Sequence, residues 1–165
     1  TNIMKKILIL GIESSCDETS VSVIGKYAPG KVKILSNIVK SQLDVHQHFG
    51  GVVPELAARA HSEVIDELIL MALNEANIKL TDLNAVAATS GPGLLGGLLV
   101  GVVAAKTLSS ALNIPFIAIN HLEGHALSVH LEKEIDYPYL LLLVSGGHTE
   151  FTIINKFNSY KRIGT

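Results

Sequence analysis

His121 and His125 stand four residues apart in His121-Leu122-Glu123-Gly124-His125, a stretch that can open a helix. On a helix the second ring is turned about 40° from the first, so both imidazoles can face one cation. Two imidazoles on one face are a half-site for a first-row transition metal. The metalloprotease pattern His-Glu-x-x-His needs its glutamate directly after the first histidine, as general base. Leu122 holds that place here, and Glu123 is turned roughly 200° from His121. The segment therefore offers metal ligands without a protease base. Two surface histidines on a short helix are the plainer reading of the same spacing.

Three other stretches can do chemistry. Gly91-Pro92-Gly93-Leu94-Leu95-Gly96 matches G-x-G-x-x-G between a strand and a helix, as in the dinucleotide fingerprint. The next strand ends Ala118-Ile119-Asn120, without the acid that would hold a ribose, which argues against that fingerprint. The free amides of a helix N-terminus still suit an anion. Gly96, Gly97 and Gly101 are expected to let that helix lie close to the sheet or to another helix. Ser14 to Ser20 form a turn of small polar residues at a strand end, where hydroxyls and amides can wrap a phosphate. Asp17 or Glu18 could there bind a cation or move a proton; a polar turn with local bonds is the plain alternative. No neighbouring feature activates Cys16 as a nucleophile, and a small, mostly buried thiol is expected. Leu143-Val144-Ser145-Gly146-Gly147-His148-Thr149 is a second hairpin turn, whose paired glycines let a ligand approach the backbone. His148 either touches that ligand or caps the turn. His130, nine positions beyond His121, falls on the opposite helix face and is expected to see solvent.

These stretches need elements to position them. Ile7 to Ile12, Val21 to Ile24 and Val32 to Val39 read as strands whose short links imply antiparallel pairing. Pro54 sits at a helix N1 position, and the helix runs to about Asn77 with a wide apolar face through Ala60, Val64, Leu68 and Ala72. Ala85 to Thr89 is a strand, Leu95 to Leu112 a glycine-rich helix, and Phe116 to Ile119 another strand. A third helix starts near Asn120, a fair N-cap, and carries both histidines. After a linker from Glu132 to Pro138, Tyr139 to Val144, Phe151 to Ile154 and Tyr160 to Ile163 read as strands. The second strand–turn–strand repeats the first, which suggests a duplicated fold whose second copy is cut off.

The chain has 165 residues, room for one domain or a domain plus part of another. It is 48% hydrophobic with 5% aromatic residues and no Trp, so its core must be aliphatic, as buried strands covered by helices require. The net charge of −2 and the scattered lysines and arginines leave no basic stripe for nucleic acid. A single cysteine excludes an internal disulfide and fits a reducing compartment. The apolar run after Lys5-Lys6 stops at Glu13, too soon for a leader, and reads as a first strand. The apolar stretch from Leu94 to Ala105 is too short to cross a bilayer.

Gly11-Ile12-Glu13-Ser14-Ser15-Cys16-Asp17-Glu18-Thr19, Ser90-Gly91-Pro92-Gly93-Leu94, His121-Leu122-Glu123-Gly124-His125 and Leu143-Val144-Ser145-Gly146-Gly147-His148-Thr149 together resemble the tRNA threonylcarbamoyladenosine transferase (TsaD) family, formerly described as O-sialoglycoprotein endopeptidases. The resemblance runs in order over essentially the whole chain. It implies an α/β, actin/hexokinase-like ATPase fold of duplicated ribonuclease H-like lobes, a mixed sheet with helices on both faces and the nucleotide between the lobes. Residues 1–134 would form the N-terminal lobe and 135–165 the first strands of a second, truncated lobe. The implied reaction moves threonylcarbamoyl from its adenylate to the N6 amine of the adenosine beside a tRNA anticodon. Amides near Ser145-Gly146-Gly147 would stabilise the charge that develops, and AMP leaves.

By the same resemblance His121 and His125 are ligands of one divalent metal, Fe or Zn. Leu143, Val144, Ser145, Gly146 and Gly147, with His148 beside them, line the substrate site, which holds ATP or threonylcarbamoyl-adenylate. Asp17 and Glu18 match acidic positions of the first phosphate loop and are the catalytic candidates. The implied partners are tRNA, a TsaB-like paralogue in a heterodimer, a TsaE-like ATPase and a TsaC-like adenylate-forming enzyme, in the bacterial cytoplasm and without a membrane. Leu143 and His148 stand where archaeal and eukaryotic cytosolic relatives place Tyr and Asn, which sets this chain with the bacterial and mitochondrial branch. Family members are about twice as long, and the remainder should supply an Asp to the metal site. Two other functions remain: a non-catalytic ATPase-fold scaffold or dimerising lobe, and a metalloendopeptidase, against which Leu122 speaks.

Overall fold

A computed structural model of the chain describes residues 6–27, 30–133, 135–144 and 149–165, with only the backbone of Lys31 and Val45. Two compact units divide it, Thr1–His121 and Leu122–Thr165.

The first unit is built on strands β1 (Ile7–Glu13), β2 (Glu18–Tyr27), β3 (Lys31–Ser41), β4 (Ala85–Gly91) and β5 (Phe116–Asn120). They form one sheet in the order β3-β2-β1-β4-β5. β1, β2 and β3 pair antiparallel, whereas β1–β4 and β4–β5 are parallel. Short links can join antiparallel neighbours, but each parallel step needs a crossover, which helices α2 (Pro54–Glu75) and α3 (Leu95–Leu112) provide. Period-two alternation puts Leu8, Leu10 and Ile12 of β1 on the buried face, with Val21 and Val23 of β2 beside them. α2 answers with Ile65, Leu68, Ile69, Ala72 and Leu73, the i, i+3, i+4 stripe of a helix covering a sheet. The buried cluster is wholly aliphatic, and each Leu or Ile in it contributes about 1.5–3 kcal/mol by leaving water.

α3 has 18 residues and a mean hydropathy of 1.6, the length and composition of a bilayer-crossing helix. Gly97, Leu98, Gly101, Ala105 and Ser109 are its buried residues, all but Leu98 small. α3 ends at Asn113, which takes the left-handed conformation at φ 53°, as a helix C-terminus often does.

Local composition misled in two places. Helix α1 (Leu43–His46) and a 3₁₀ turn (Gln47–Phe49) occupy the polar loop before α2. β2 begins at Glu18, three residues before its apolar run, because Glu18, Thr19 and Ser20 pair with Ser41, Lys40 and Val39 of β3.

The second unit holds most of helix α4 (His121–Ser128), a 3₁₀ turn (Val129–Leu131) and strands β6 (Tyr139–Val144), β7 (Thr149–Lys156) and β8 (Ser159–Gly164). The strands form an antiparallel sheet in sequence order, the same hairpin succession as β1–β2–β3. Tyr139 donates its hydroxyl to the Ala126 carbonyl at 2.6 Å, fastening β6 to α4. His130 is half-buried rather than solvated: its ring lies 5.2 Å from Tyr137 and 5.6 Å from Tyr139, centroid to centroid.

Candidate active site

Parallel pairing brings three strand ends together. The β1–β4 register aligns Ile12 with Ala88, so Glu13 and Thr89 follow side by side. The β4–β5 register aligns Gly91 with Asn120, which delivers His121 to the same rim. Open α/β sheets bind ligands at the carboxyl ends of their parallel strands, where the connections turn away.

At that rim one Glu13 oxygen, Oε1, accepts the Ser15 N–H at 2.6 Å. Oε2 accepts the Thr89 hydroxyl and lies 3.3 Å from Nδ1 of His121. The Ser15 hydroxyl oxygen is 3.2 Å from the same nitrogen. Burial pushes the Glu13 carboxyl up, but the hydrogen bonds from Ser15 and Thr89, together with the His121 ring, outweigh it. The group ends below the usual glutamate value and is a carboxylate at neutral pH.

The turn after Glu13 is clamped onto α3. Ser14 donates its hydroxyl to the Gly97 carbonyl at 2.8 Å, and the Ser15 carbonyl accepts the Leu94 N–H at 2.7 Å. A Cβ on Gly97 would collide with the Ser14 carbonyl oxygen, and one on Gly101 with the Ser14 hydroxyl. A Cβ on Gly96 would press on Ala58 of α2 at 2.9 Å. The glycines therefore serve close approach, as expected.

The sequence reading missed a second network behind this turn. His61 of α2 is fully buried. Its Nε2 lies 3.1 Å from the Cys16 carbonyl, and its Nδ1 lies 2.7 Å from the Thr19 hydroxyl and 3.1 Å from the Gln42 amide nitrogen. A carbonyl only accepts, so Nε2 carries the proton and Nδ1 receives both donors. Burial pushes the His61 pKa below the usual histidine value, against the pull of the Cys16 carbonyl and of Glu13 and Asp17. His46 is also buried and meets the side-chain amide oxygen of Gln42 through Nε2 at 3.2 Å. The only signal for His61 was its place on the apolar stripe of α2, a position that usually reads as core.

The expected site residues fare differently. His121 joins Glu13 and Ser15. His125 is exposed on the same helix, α4. Asp17 accepts the Gln42 N–H through its main-chain carbonyl at 3.1 Å, and Glu18 is exposed at the start of β2. Cys16 is exposed, not buried, because its carbonyl rather than its thiol faces His61. In the second unit Leu143 and Val144 end β6 opposite Glu150 and Thr149, with Leu143 half-buried and Val144 exposed. Ser145, Gly146, Gly147 and His148 lie outside the described residues. Among the described residues no group of three or more His, Cys, Asp or Glu could hold a metal ion. The donor chemistry of two imidazoles at helical spacing, one of them against a carboxylate, still suits a first-row metal completed by further ligands.

Known proteins place this arrangement. A protein of Bartonella tribocorum named tRNA N6-adenosine threonylcarbamoyltransferase is 60% identical over 157 residues, 95% of this chain and 43% of that protein. A protein of the same name from Pelagibacter ubique is 58% identical over 161 residues, 98% of this chain and 45% of its own length. The chain thus spans less than half the length of these relatives. Among solved structures, YeaZ from Pseudomonas aeruginosa superposes with a TM-score of 0.62 at 15% identity, covering 96% of this chain and 65% of YeaZ. The Aquifex aeolicus PPX-GPPA enzyme gives a TM-score of 0.55 at 12% identity, covering 97% of this chain and 53% of its own. At such identities the likeness concerns the fold alone, the actin/hexokinase-like ATPase fold. The family model of TsaD matches residues 33–165, and with these relatives it makes the chain a member of the tRNA N6-adenosine threonylcarbamoyltransferase family.

Proposed function

We propose that a protein carrying this chain transfers threonylcarbamoyl from threonylcarbamoyl-adenylate to the N6 amine of the adenosine beside a tRNA anticodon. The observation that carries this reading is the 60% identity to a relative named for tRNA N6-adenosine threonylcarbamoyl transfer. His121 and His125 would hold one divalent first-row metal, Fe or Zn, with an Asp from outside this chain as a further ligand. A metal bound there supplies Lewis acidity toward a carbonyl or phosphate oxygen. Asp17 and Glu18 flank the first turn and would meet a nucleotide-bound cation or move a proton. Leu143 and Val144 would wall the substrate site, with His148 beside it. Amides of Ser145, Gly146 and Gly147 would stabilise negative charge as the amine attacks and AMP departs.

The partners in this reading are tRNA, a TsaC-like enzyme that forms the adenylate, a TsaE-like ATPase and a TsaB-like paralogue, in the bacterial cytoplasm. Exposed apolar side chains on α2 and α3, among them Leu70, Met71, Leu99 and Val103, are available to a paired partner in this reading.

The test is a chimera in which this chain replaces the matching N-terminal part of a bacterial relative, expressed in a strain depleted of its own enzyme. Threonylcarbamoyladenosine in tRNA digests, measured by mass spectrometry, is expected to return to normal levels. Its absence while the chimera accumulates in folded form would overturn the proposal.

A further inference from the structure

In the sequence Glu13 is merely the first charged residue after an apolar strand. In the fold it is an anchored carboxylate. Oε1 is held by the Ser15 N–H and Oε2 by the Thr89 hydroxyl, so the group cannot swing away from the rim. Its side chain is 33% exposed and that of His121 25%, which leaves the pair partly shielded from solvent. Oε2 lies 3.3 Å from Nδ1 of His121. A carboxylate accepts and never donates, so this contact is attractive only when Nδ1 carries hydrogen. The Ser15 hydroxyl, 3.2 Å from Nδ1, does not force the opposite assignment, because a hydroxyl oxygen accepts as well as donates and can take the ring N–H. A neutral imidazole protonated at Nδ1 keeps its lone pair on Nε2. Carboxylates behind metal-bound histidines fix the ring and raise its basicity in this way.

We propose that Glu13 is a positioning residue that holds His121 as the Nδ1–H tautomer and thereby presents Nε2 to a divalent transition metal. The inference rests on His121 being a metal ligand, and the experiment separates the two.

Long-range ¹H–¹⁵N spectra of the metal-free protein report the tautomer of each histidine directly. His121 is expected to show the Nδ1–H pattern. Glu13→Gln keeps an oxygen for the Ser15 N–H and turns an amide donor toward Nδ1, so His121 is expected to change to Nε2–H. Ser15→Ala is expected to leave the tautomer as it was. Zn²⁺ affinity, measured by competition with a chromophoric chelator, should fall about 10–100-fold in Glu13→Gln, the range for loss of such an outer partner. It should stay near the parent value in Ser15→Ala and collapse in His121→Ala. An Nε2–H pattern in the parent, or a parent-like tautomer and Zn²⁺ affinity in Glu13→Gln, overturns the role of Glu13. Undiminished Zn²⁺ binding by His121→Ala overturns the metal reading itself, and the proposal with it. Should Glu13→Gln fail to fold, Thr89→Val reads the same coupling: a mixed tautomer is expected as Oε2 loses its anchor, and an unchanged His121 spectrum counts against the proposal.

Discussion

Replacing Gly97 by alanine pits two effects of opposite sign against each other. Alanine in a helix interior is favoured over glycine by about 1 kcal/mol. At Gly97 the added methyl would collide with the Ser14 carbonyl oxygen and press on the His61 ring, at 3.1 Å from its Nε2. The obstacle is backbone and a fully buried ring, neither of which can swing aside as a flexible surface side chain would. Forcing a methyl into a packed site costs about 1–3 kcal/mol. Displacing the turn also strains the bond from the Ser14 hydroxyl to the Gly97 carbonyl, worth about 0.5–1.5 kcal/mol. The net expectation is a destabilisation of about 1–3 kcal/mol, despite the better helix former. Urea titration followed by circular dichroism at fixed pH measures it, with Gly96→Ala as comparison. That methyl would meet the Ala58 methyl of a neighbouring helix at 2.9 Å, a less severe approach than that of Gly97 to the Ser14 carbonyl oxygen, so the loss should be smaller. A Gly97→Ala protein as stable as the parent, or more so, would show that the close approach of α3 to the first turn is not what the glycine serves.

Two more outcomes follow from the networks around that turn. His61 stays neutral in the folded state below the pH at which an exposed histidine titrates. The unfolded chain therefore binds the extra proton, and stability should fall as pH drops from about 6.5 toward the lower folded value; His61→Gln should flatten this slope in urea titrations, and an unchanged slope would place the titrating group elsewhere. Cys16 is exposed, so the native protein should release one equivalent of thionitrobenzoate from Ellman's reagent without denaturant, whereas reaction only after unfolding would contradict the exposure.

Much of the architecture was legible because local pattern and tertiary demand agree. The run Leu95–Leu112 has helix length and a glycine face, and Tyr139–Val144 is an unbroken apolar strand; both ends of each were read correctly. Antiparallel pairing of β1 to β3 followed from short links. β2 was read three residues short at each end; at its start Glu18, Thr19 and Ser20 are polar and only the long β3 draws them into the ladder. The site was half legible. His121 announced itself by its spacing to His125, but the Glu13–Thr89–His121 contact spans 76 and 108 positions. It exists only because β4 inserts between β1 and β5 in parallel, a choice that no local window contains. His61 was hidden by the opposite circumstance: a buried histidine on an apolar stripe looks like core until its three partners are seen.

The central claim is that His121 and His125 hold the metal on which threonylcarbamoyl transfer depends. The most direct measurement compares metal content and transfer to tRNA in one preparation, using the chimera and its His121→Ala/His125→Ala form. Both quantities are expected to fall together to background. Parent-level transfer by a variant that has lost its metal would contradict the account.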